Sequence, residues 1–510
     1  MITLNGGGLD LESFIKVARY KEKVMIGKSH RQKVTHAREF VKDIVDNNET
    51  VYGINTGFGK LSDTIIGAKD VSVLQENLIK SHACTVGNVL DEEVVRGMML
   101  LRVNALIRGY SGIRLVVLEK IIELLNKEVT PLVFEKGSLG ASGDLAPLSN
   151  MSLPIIGLGE CTYHNKRLTT QDAFKEADIK PIPQLIAKEG LALINGTQAM
   201  TSLAAFTVYD GLRLCDFANV SLALSLEALE GITDAYDDRV HQVRGHQGQI
   251  TVAKAILKML TGSESVTRQG EKRVQDAYSL RCAPQVHGAS LDALSYVKDT
   301  IEIEMNAVTD NPILFADDHE AISAGNFHGQ PIALVIDHMK IALSELANIS
   351  ERRLERLVNP QLSEGLPPFL TTQPGTNSGF MIVQYSAASL VSHNKVLAHP
   401  ASVDSISSSA NQEDHVSMGT NGALQAKEIL ANVRQVIGME MLTACQAIDL
   451  RDQRQLGVTT EKAYNKIREY IPFIEKDETM YPHLHKIDTL LQDDMFYKSI
   501  MNEVTQDETD

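Results

Sequence analysis

Leu430-Ala-Asn-Val433-Arg-Gln-Val-Ile437-Gly-Met-Glu-Met441-Leu-Thr-Ala444-Cys-Gln-Ala-Ile448 decides the fold class. Leu430, Val433, Ile437, Met441, Ala444 and Ile448 step by three and four residues, so they lay one apolar stripe along a long helix. Such a stripe belongs to a core or a subunit interface. Other helical runs extend on the N-terminal side: Leu11 to Ala18, His30 to Asp46, residues 71–127, a long run from Glu189 to about Glu230, Val286 to Val308, Gln330 to Leu357, and 381–399. Residues 458–497 read as a small C-terminal helical cap, followed by a frayed acidic tail from Thr505 to Asp510. Residues 161–185 read as a surface excursion with little regular structure, and 232–284 as partly looped. With few convincing strands, the sequence predicts a mainly α bundle whose polar clusters sit on loops.

The chain has 510 residues, 43% of them hydrophobic and 22% charged, ample for a large core. No internal repeat or clear linker divides it. It reads as one unit with three sub-lobes: a loop-rich N-terminal lobe over 1–190, a long-helix core over 191–457, and the cap and tail over 458–510. A net charge of −16 argues against a nucleic-acid partner or an anionic membrane surface. Cys84, Cys161, Cys215, Cys282 and Cys445 are scattered and form no C-x-x-C pair, as expected of free thiols in the cytoplasm. The first residues lack a basic segment followed by an apolar run, so no signal peptide is expected. No apolar stretch reaches the roughly 18 residues of a transmembrane helix.

The chemistry is concentrated in Gly137-Ser-Leu-Gly-Ala-Ser-Gly-Asp-Leu-Ala-Pro-Leu148. Three small residues, Ala141-Ser142-Gly143, cannot form a core. Ser142 lacks the Gly-x-Ser-x-Gly spacing of a nucleophile elbow. Ring closure fits better. The Gly143 nitrogen can attack the Ala141 carbonyl carbon, and loss of two waters, one from the Ser142 hydroxyl, leaves an exocyclic methylidene. Glycine suits the attack because it has no Cβ. Asp144-Leu-Ala-Pro reads as a helix start, whose positive end would make the ring more electrophilic.

Val51 to Lys60 is a Gly-rich loop presenting Tyr52. It is not a phosphate loop, because Leu61 follows Lys60 where Ser or Thr is needed. Asn195 and Gln198 are amides in an apolar run and need hydrogen-bond partners if buried. Arg281, after Tyr278-Ser-Leu, is either a surface charge or a carboxylate clamp. His241 and His246 are five apart and share no helical face, so no metal site is expected.

Gly-Ala-Ser-Gly-Asp-Leu-Ala-Pro-Leu-Ser resembles the signature of the ammonia-lyases that use a methylidene-imidazolone group. The resemblance runs from about residue 50 to 450, through Tyr52–Gly59, Glu189–Gln198, Tyr278–Gln285, Gly325–Gly329 and Gln412–Gly419. It implies a core of long near-parallel helices, assembled as a homotetramer with shared active sites. It implies a prosthetic group made from Ala141, Ser142 and Gly143, and no external cofactor. Tyr52 would remove the substrate's β-proton, with a phenol pKa lowered by its neighbours. Asn195 would hold the ring, Arg281 would pair with the substrate carboxylate, and Tyr278 and Phe327 would order the site. His82 and Gln198 would also contact substrate.

Ser81-His82, and above all Gln412-Glu-Asp-His-Val-Ser-Met-Gly419, are similar to the histidine-specific branch of this family. A carboxylate at Glu413 can accept an imidazole N–H, whereas a phenyl ring would leave it unpaired. The expected reaction is elimination of ammonia from L-histidine to give trans-urocanate, the first step of histidine breakdown. A tyrosine or phenylalanine lyase, an aminomutase, and a non-catalytic helical scaffold stay open as alternatives.

Overall fold

The apolar stripe at 430–448 lies in the 31-residue helix Gly419–Asp449. Val433, Ile437, Met441 and Ala444 are fully buried there, and Ile448 emerges at the end of the stripe. The structure, a computed structural model, describes residues 1–47, 49–61, 64–67, 70–452 and 454–501, so the acidic tail lies outside the described residues. The other long helices are Gln198–Ala228, Ala283–Met305, Gln330–Val358 and Met381–Leu397. Gln198–Ala228 is apolar on nearly all sides and is accordingly buried along most of its length. Shorter helices Val71–His82, Glu92–Leu106 and Leu115–Asn126 fill the N-terminal part. The helices Val458–Tyr470, Tyr481–Gln492 and Asp494–Met501 follow at the C-terminal end.

The chain divides into two units, each assembled from separated segments. The first comprises Met1–Thr207, Val297–Asp337 and Pro400–Leu424. The second comprises Val208–Tyr296, His338–His399 and Gln425–Asp510. These limits differ from the sub-lobe boundaries expected at 190 and 457. The reason is that boundaries fall inside long helices, at 207/208 within Gln198–Ala228 and at 424/425 within Gly419–Asp449. Sequence composition does not change along such a helix.

The second unit is organised around a buried ion pair. Glu440 and Arg353 are both fully buried, and Arg353 Nε lies 2.6 Å from Glu440 Oε1. The Ser225 and Ser350 hydroxyls each donate to a Glu440 oxygen at 2.6 Å. Removing water from two charges is costly, and only this full set of partners offsets it.

Two expected elements differ. The run from Glu189 is not one helix. It stops at Ile194, turns through Asn195-Gly196-Thr197, and restarts at Gln198. A Cβ on Gly196 would stand 2.2 Å from Arg102 Nη1 and 2.4 Å from Gln198 Oε1, so the break is packed tight. Residues 161–185 also carry more structure than expected. Strands Glu160–Tyr163 and Lys166–Thr169 form an antiparallel hairpin. Its turn residues, His164 and Asn165, both have positive φ, as a two-residue hairpin loop requires. The helix Thr170–Glu176 follows, with the Thr169 hydroxyl accepting from the Asp172 amide at 3.2 Å.

Ile437→Ala should leave a cavity in the second unit and cost about 2–5 kcal/mol, read as a lowered thermal midpoint.

Candidate active site

The first unit contains a cavity of about 1180 Å³ whose lining includes Tyr52, His82, Ser142, Asn195, Phe327 and Glu413. These side chains span more than 360 positions of sequence, and the fold of the Gly137–Asp144 loop explains how they meet. Gly143 has φ +69°, and a Cβ there would lie 2.1 Å from the Gly196 carbonyl oxygen. Only glycine allows this backbone-to-backbone approach. The Asp144 amide donates to the same Gly196 oxygen at 2.7 Å.

Asp144 does not cap the helix it precedes, Leu145–Ser152. Its fully buried carboxylate accepts from the amides of Ala199 and Met200, each at 2.9 Å, and so caps Gln198–Ala228. It also accepts from the Ser138 hydroxyl at 2.7 Å and from the Thr420 hydroxyl. Burial holds its pKa above the ordinary carboxylate value against the pull of these four bonds. Ser138 Oγ in turn accepts from the Gly140 amide at 3.1 Å. The Gly140 carbonyl accepts from the Ser417 hydroxyl at 2.8 Å and the Gly329 amide at 3.2 Å. Ala141 packs against Val416 and Met418.

Ser142 is thereby aimed into the cavity. Its carbonyl accepts from Asn195 Nδ2 at 2.9 Å, and its hydroxyl donates to Glu413 Oε1 at 2.8 Å. Glu413 Oε2 accepts from the Ser408 hydroxyl at 3.1 Å, and the two residues exchange backbone hydrogen bonds at 2.9 and 3.3 Å. Phe327 reaches the cavity from a turn closed by the His328 amide donating to the Gly325 carbonyl at 2.9 Å.

Tyr52 is held by the Gly59 amide, which donates to its hydroxyl at 3.2 Å. Its pKa is not lowered as expected. Burial raises it, the Gly59 contact only partly offsets this, and the Glu413 charge adds to the rise. His82 ends the helix Val71–His82, with Nδ1 3.0 Å from the Ser81 hydroxyl. Burial lowers its pKa and favours the neutral imidazole, with Glu413 opposing.

Three expected site residues are not brought to this cavity. Gln198 is buried away from the cavity lining, with Oε1 accepting from Arg102 Nη1 at 3.0 Å and Nε2 donating to Thr309 Oγ1 at 2.8 Å. Both ends of its amide are thus bonded beside the Gly196 turn. Tyr278 and Arg281 belong to a four-residue helix, Tyr278–Arg281, in the second unit and do not line the cavity. The Tyr278 side chain is 70% exposed. The Arg281 guanidinium lies 4.5 Å from the Tyr278 ring centroid, and its Nε donates to the Asp276 carbonyl at 2.8 Å. Sequence reading missed Arg102, Thr309 and the reach of Asp144. Asn-Gly-Thr inside an apolar run was the available signal for the break at 195–197. Among the described residues, no cluster of three or more His, Cys, Asp or Glu side chains is placed to hold a metal. No helix there is long and apolar enough to cross a membrane.

The family model described as aromatic amino acid lyase matches residues 9–469. The chain is 55% identical over 480 residues to the histidine ammonia-lyase of Caldanaerobacter subterraneus subsp. tengcongensis, covering 94% of each. Among solved structures, histidine ammonia-lyase from Trypanosoma cruzi superposes with a TM-score of 0.92 at 40% identity, covering 99% of this chain and 96% of that one. Tyrosine aminomutase from Streptomyces globisporus superposes with a TM-score of 0.95 at 33% identity, covering 99% of each. The backbone is thus common to enzymes of different substrate and outcome, and the site side chains must carry any distinction.

Gly196→Ala should destabilise the first unit by about 3 kcal/mol or more, since Arg102 and Gln198 must both move. Thermal denaturation beside the parent protein checks this.

Proposed function

The chain belongs to the aromatic amino acid lyase family, and we propose that it is a histidine ammonia-lyase, forming trans-urocanate and ammonia from L-histidine. The observation that carries the choice of substrate is Glu413. Its carboxylate stands on the cavity wall at hydrogen-bond distance from Ser142, with Phe327 and His82 also lining the space. An imidazole N–H satisfies that carboxylate. A plain phenyl ring offers that carboxylate no N–H and still strips water from its cavity-facing side, a penalty that disfavours such substrates.

The family is known for a protein-derived prosthetic group, and in this chain we assign it to Ala141, Ser142 and Gly143. The residues fit that assignment. Gly143 adopts a left-handed conformation with no room for a Cβ, Ala141 is buried, and Asn195 holds the Ser142 carbonyl. The group supplies an electrophile that takes up the substrate amine and makes it a better leaving group. Glu413 orients the imidazole, Asn195 fixes the serine carbonyl, and Tyr52 takes the β-proton. Arg281 pairs with the carboxylate and Tyr278 orders the site, both supplied by another copy of the chain in a homotetramer with shared sites. Two features support sharing: the exposure of Tyr278, and a cavity far larger than one amino acid fills. Five cysteines without a disulfide agree with a cytoplasmic enzyme.

Mixing the purified protein with L-histidine should produce urocanate absorbance, with no product from L-tyrosine or L-phenylalanine. Coumarate or cinnamate would overturn the role of Glu413. Ser142→Ala should fold and be inactive. The parent chain should weigh about 36 Da less than its sequence mass and the variant should not, because two waters leave on ring formation. A parent of full sequence mass would refute the ring.

Tyr52 must be deprotonated to act as base, and its pKa is raised, so kcat/KM should climb with pH on the alkaline side. Glu413→Gln removes a negative charge that disfavours the phenolate. The alkaline limb should therefore move to lower pH while kcat/KM for L-histidine falls about tenfold or more.

A further inference from the structure

The short helix Tyr278–Arg281 is followed after Cys282 by the helix Ala283–Met305. A continuous helical ladder would satisfy the Leu280 carbonyl from the amide of residue 284. That residue is Pro284, which has no N–H. The Cys282 amide reaches the Leu280 carbonyl only from two residues on while also bonding the Tyr278 carbonyl, and the second unit supplies a further donor. The hydroxyl of Tyr236, a side chain with no solvent exposure, donates to the Leu280 carbonyl at 2.6 Å. Leu280 is itself buried, so this carbonyl has no access to bulk water. One residue earlier, the Ser279 carbonyl accepts from Arg353 Nη1 at 3.4 Å, and Arg353 is pinned by Glu440. Two buried donors thus grip the inner side of a turn whose outer side presents Tyr278 and Arg281.

We infer that Tyr236 is a positioning residue for the substrate-carboxylate end of the site: its hydroxyl, standing in for the N–H that Pro284 lacks, fixes the turn that aims Arg281 and Tyr278. This rests on the assignment of Arg281 to the substrate carboxylate. Tyr236 itself is buried and touches no substrate. A side chain that only stabilised the fold would affect every ligand alike. A side chain that aims Arg281 affects ligands that carry a carboxylate.

The test compares L-histidine with histamine, which keeps the imidazole and amine and lacks the carboxylate. In the assembled Tyr236→Phe enzyme, KM for L-histidine should rise about tenfold, because a buried carbonyl loses its side-chain donor, keeps only the Cys282 amide two residues on, and the turn relaxes. The histamine inhibition constant should stay at the parent value. Arg281→Lys, measured alongside, should raise the L-histidine KM without changing histamine inhibition. If Arg281→Lys does so and Tyr236→Phe changes neither constant, the inference fails while the carboxylate assignment stands. If Arg281→Lys leaves KM unchanged, the assignment fails and takes the inference with it. If Tyr236→Phe weakens both ligands in step, its role is structural and the inference is overturned. Pro284→Ala in the Tyr236→Phe background restores a main-chain donor. A return of the L-histidine KM towards the parent value supports the proposal, and no return in a folded double variant refutes it. Should Tyr236→Phe not fold alone, the double variant is compared with the parent by the same two ligands and the same criteria.

Discussion

The close approach of Gly143 to Gly196 is the constraint on which the cavity depends. Two main-chain segments touch where neither can carry a side chain, and the Asp144 amide bonds across the gap. The Asp144 carboxylate then locks the arrangement from below by capping the helix that Gly196 releases. One residue ties the Gly-rich loop, the start of Gln198–Ala228 and the start of Gly419–Asp449 through Thr420. Ser142 is left projecting from a rigid base, with its carbonyl and hydroxyl both committed to named partners.

The polar groups around that base fall into two kinds. Gln198 bridges Arg102 and Thr309, and Arg102 spends its remaining donors on the Ala192 carbonyl, because a buried amide or guanidinium left unpaired costs more than most packing gains. Glu413, Tyr52 and His82 keep an edge towards open space. Their environments act on one another: the Glu413 charge pushes Tyr52 up and opposes the lowering of His82. The second unit solves the same problem differently. It buries a full ion pair, Arg353 with Glu440, and uses its spare donor capacity on the Ser279 carbonyl, beside Tyr278 and Arg281.

Legibility in the sequence followed the range of the interaction. The stripe through Val433 and Ile437 sits at helical spacing, so it announced its helix and its burial together. The start of the helix Leu11–Ala18 was readable from local pattern for the same reason. The hairpin at 160–169 was missed because its strands are short and its turn uses His164 and Asn165 rather than glycine. The break at Gly196 was missed because the residues that demand it, Arg102 and Thr309, are about a hundred positions away on either side.

Sequence by itself determined the helical class, the run of small residues Ala141-Ser142-Gly143, and the presence of an acid at 413, since each depends on residue type and near neighbours. Only the tertiary structure decided that Asp144 caps a distant helix, that Gln198 bonds Arg102 and Thr309, that the Tyr52 phenol is shifted upward, and that the Tyr236 hydroxyl donates to the Leu280 carbonyl. The physical reason is common to all four. Hydrogen-bond satisfaction and desolvation are set by what surrounds a group in space, and segments far apart in the chain supply those surroundings.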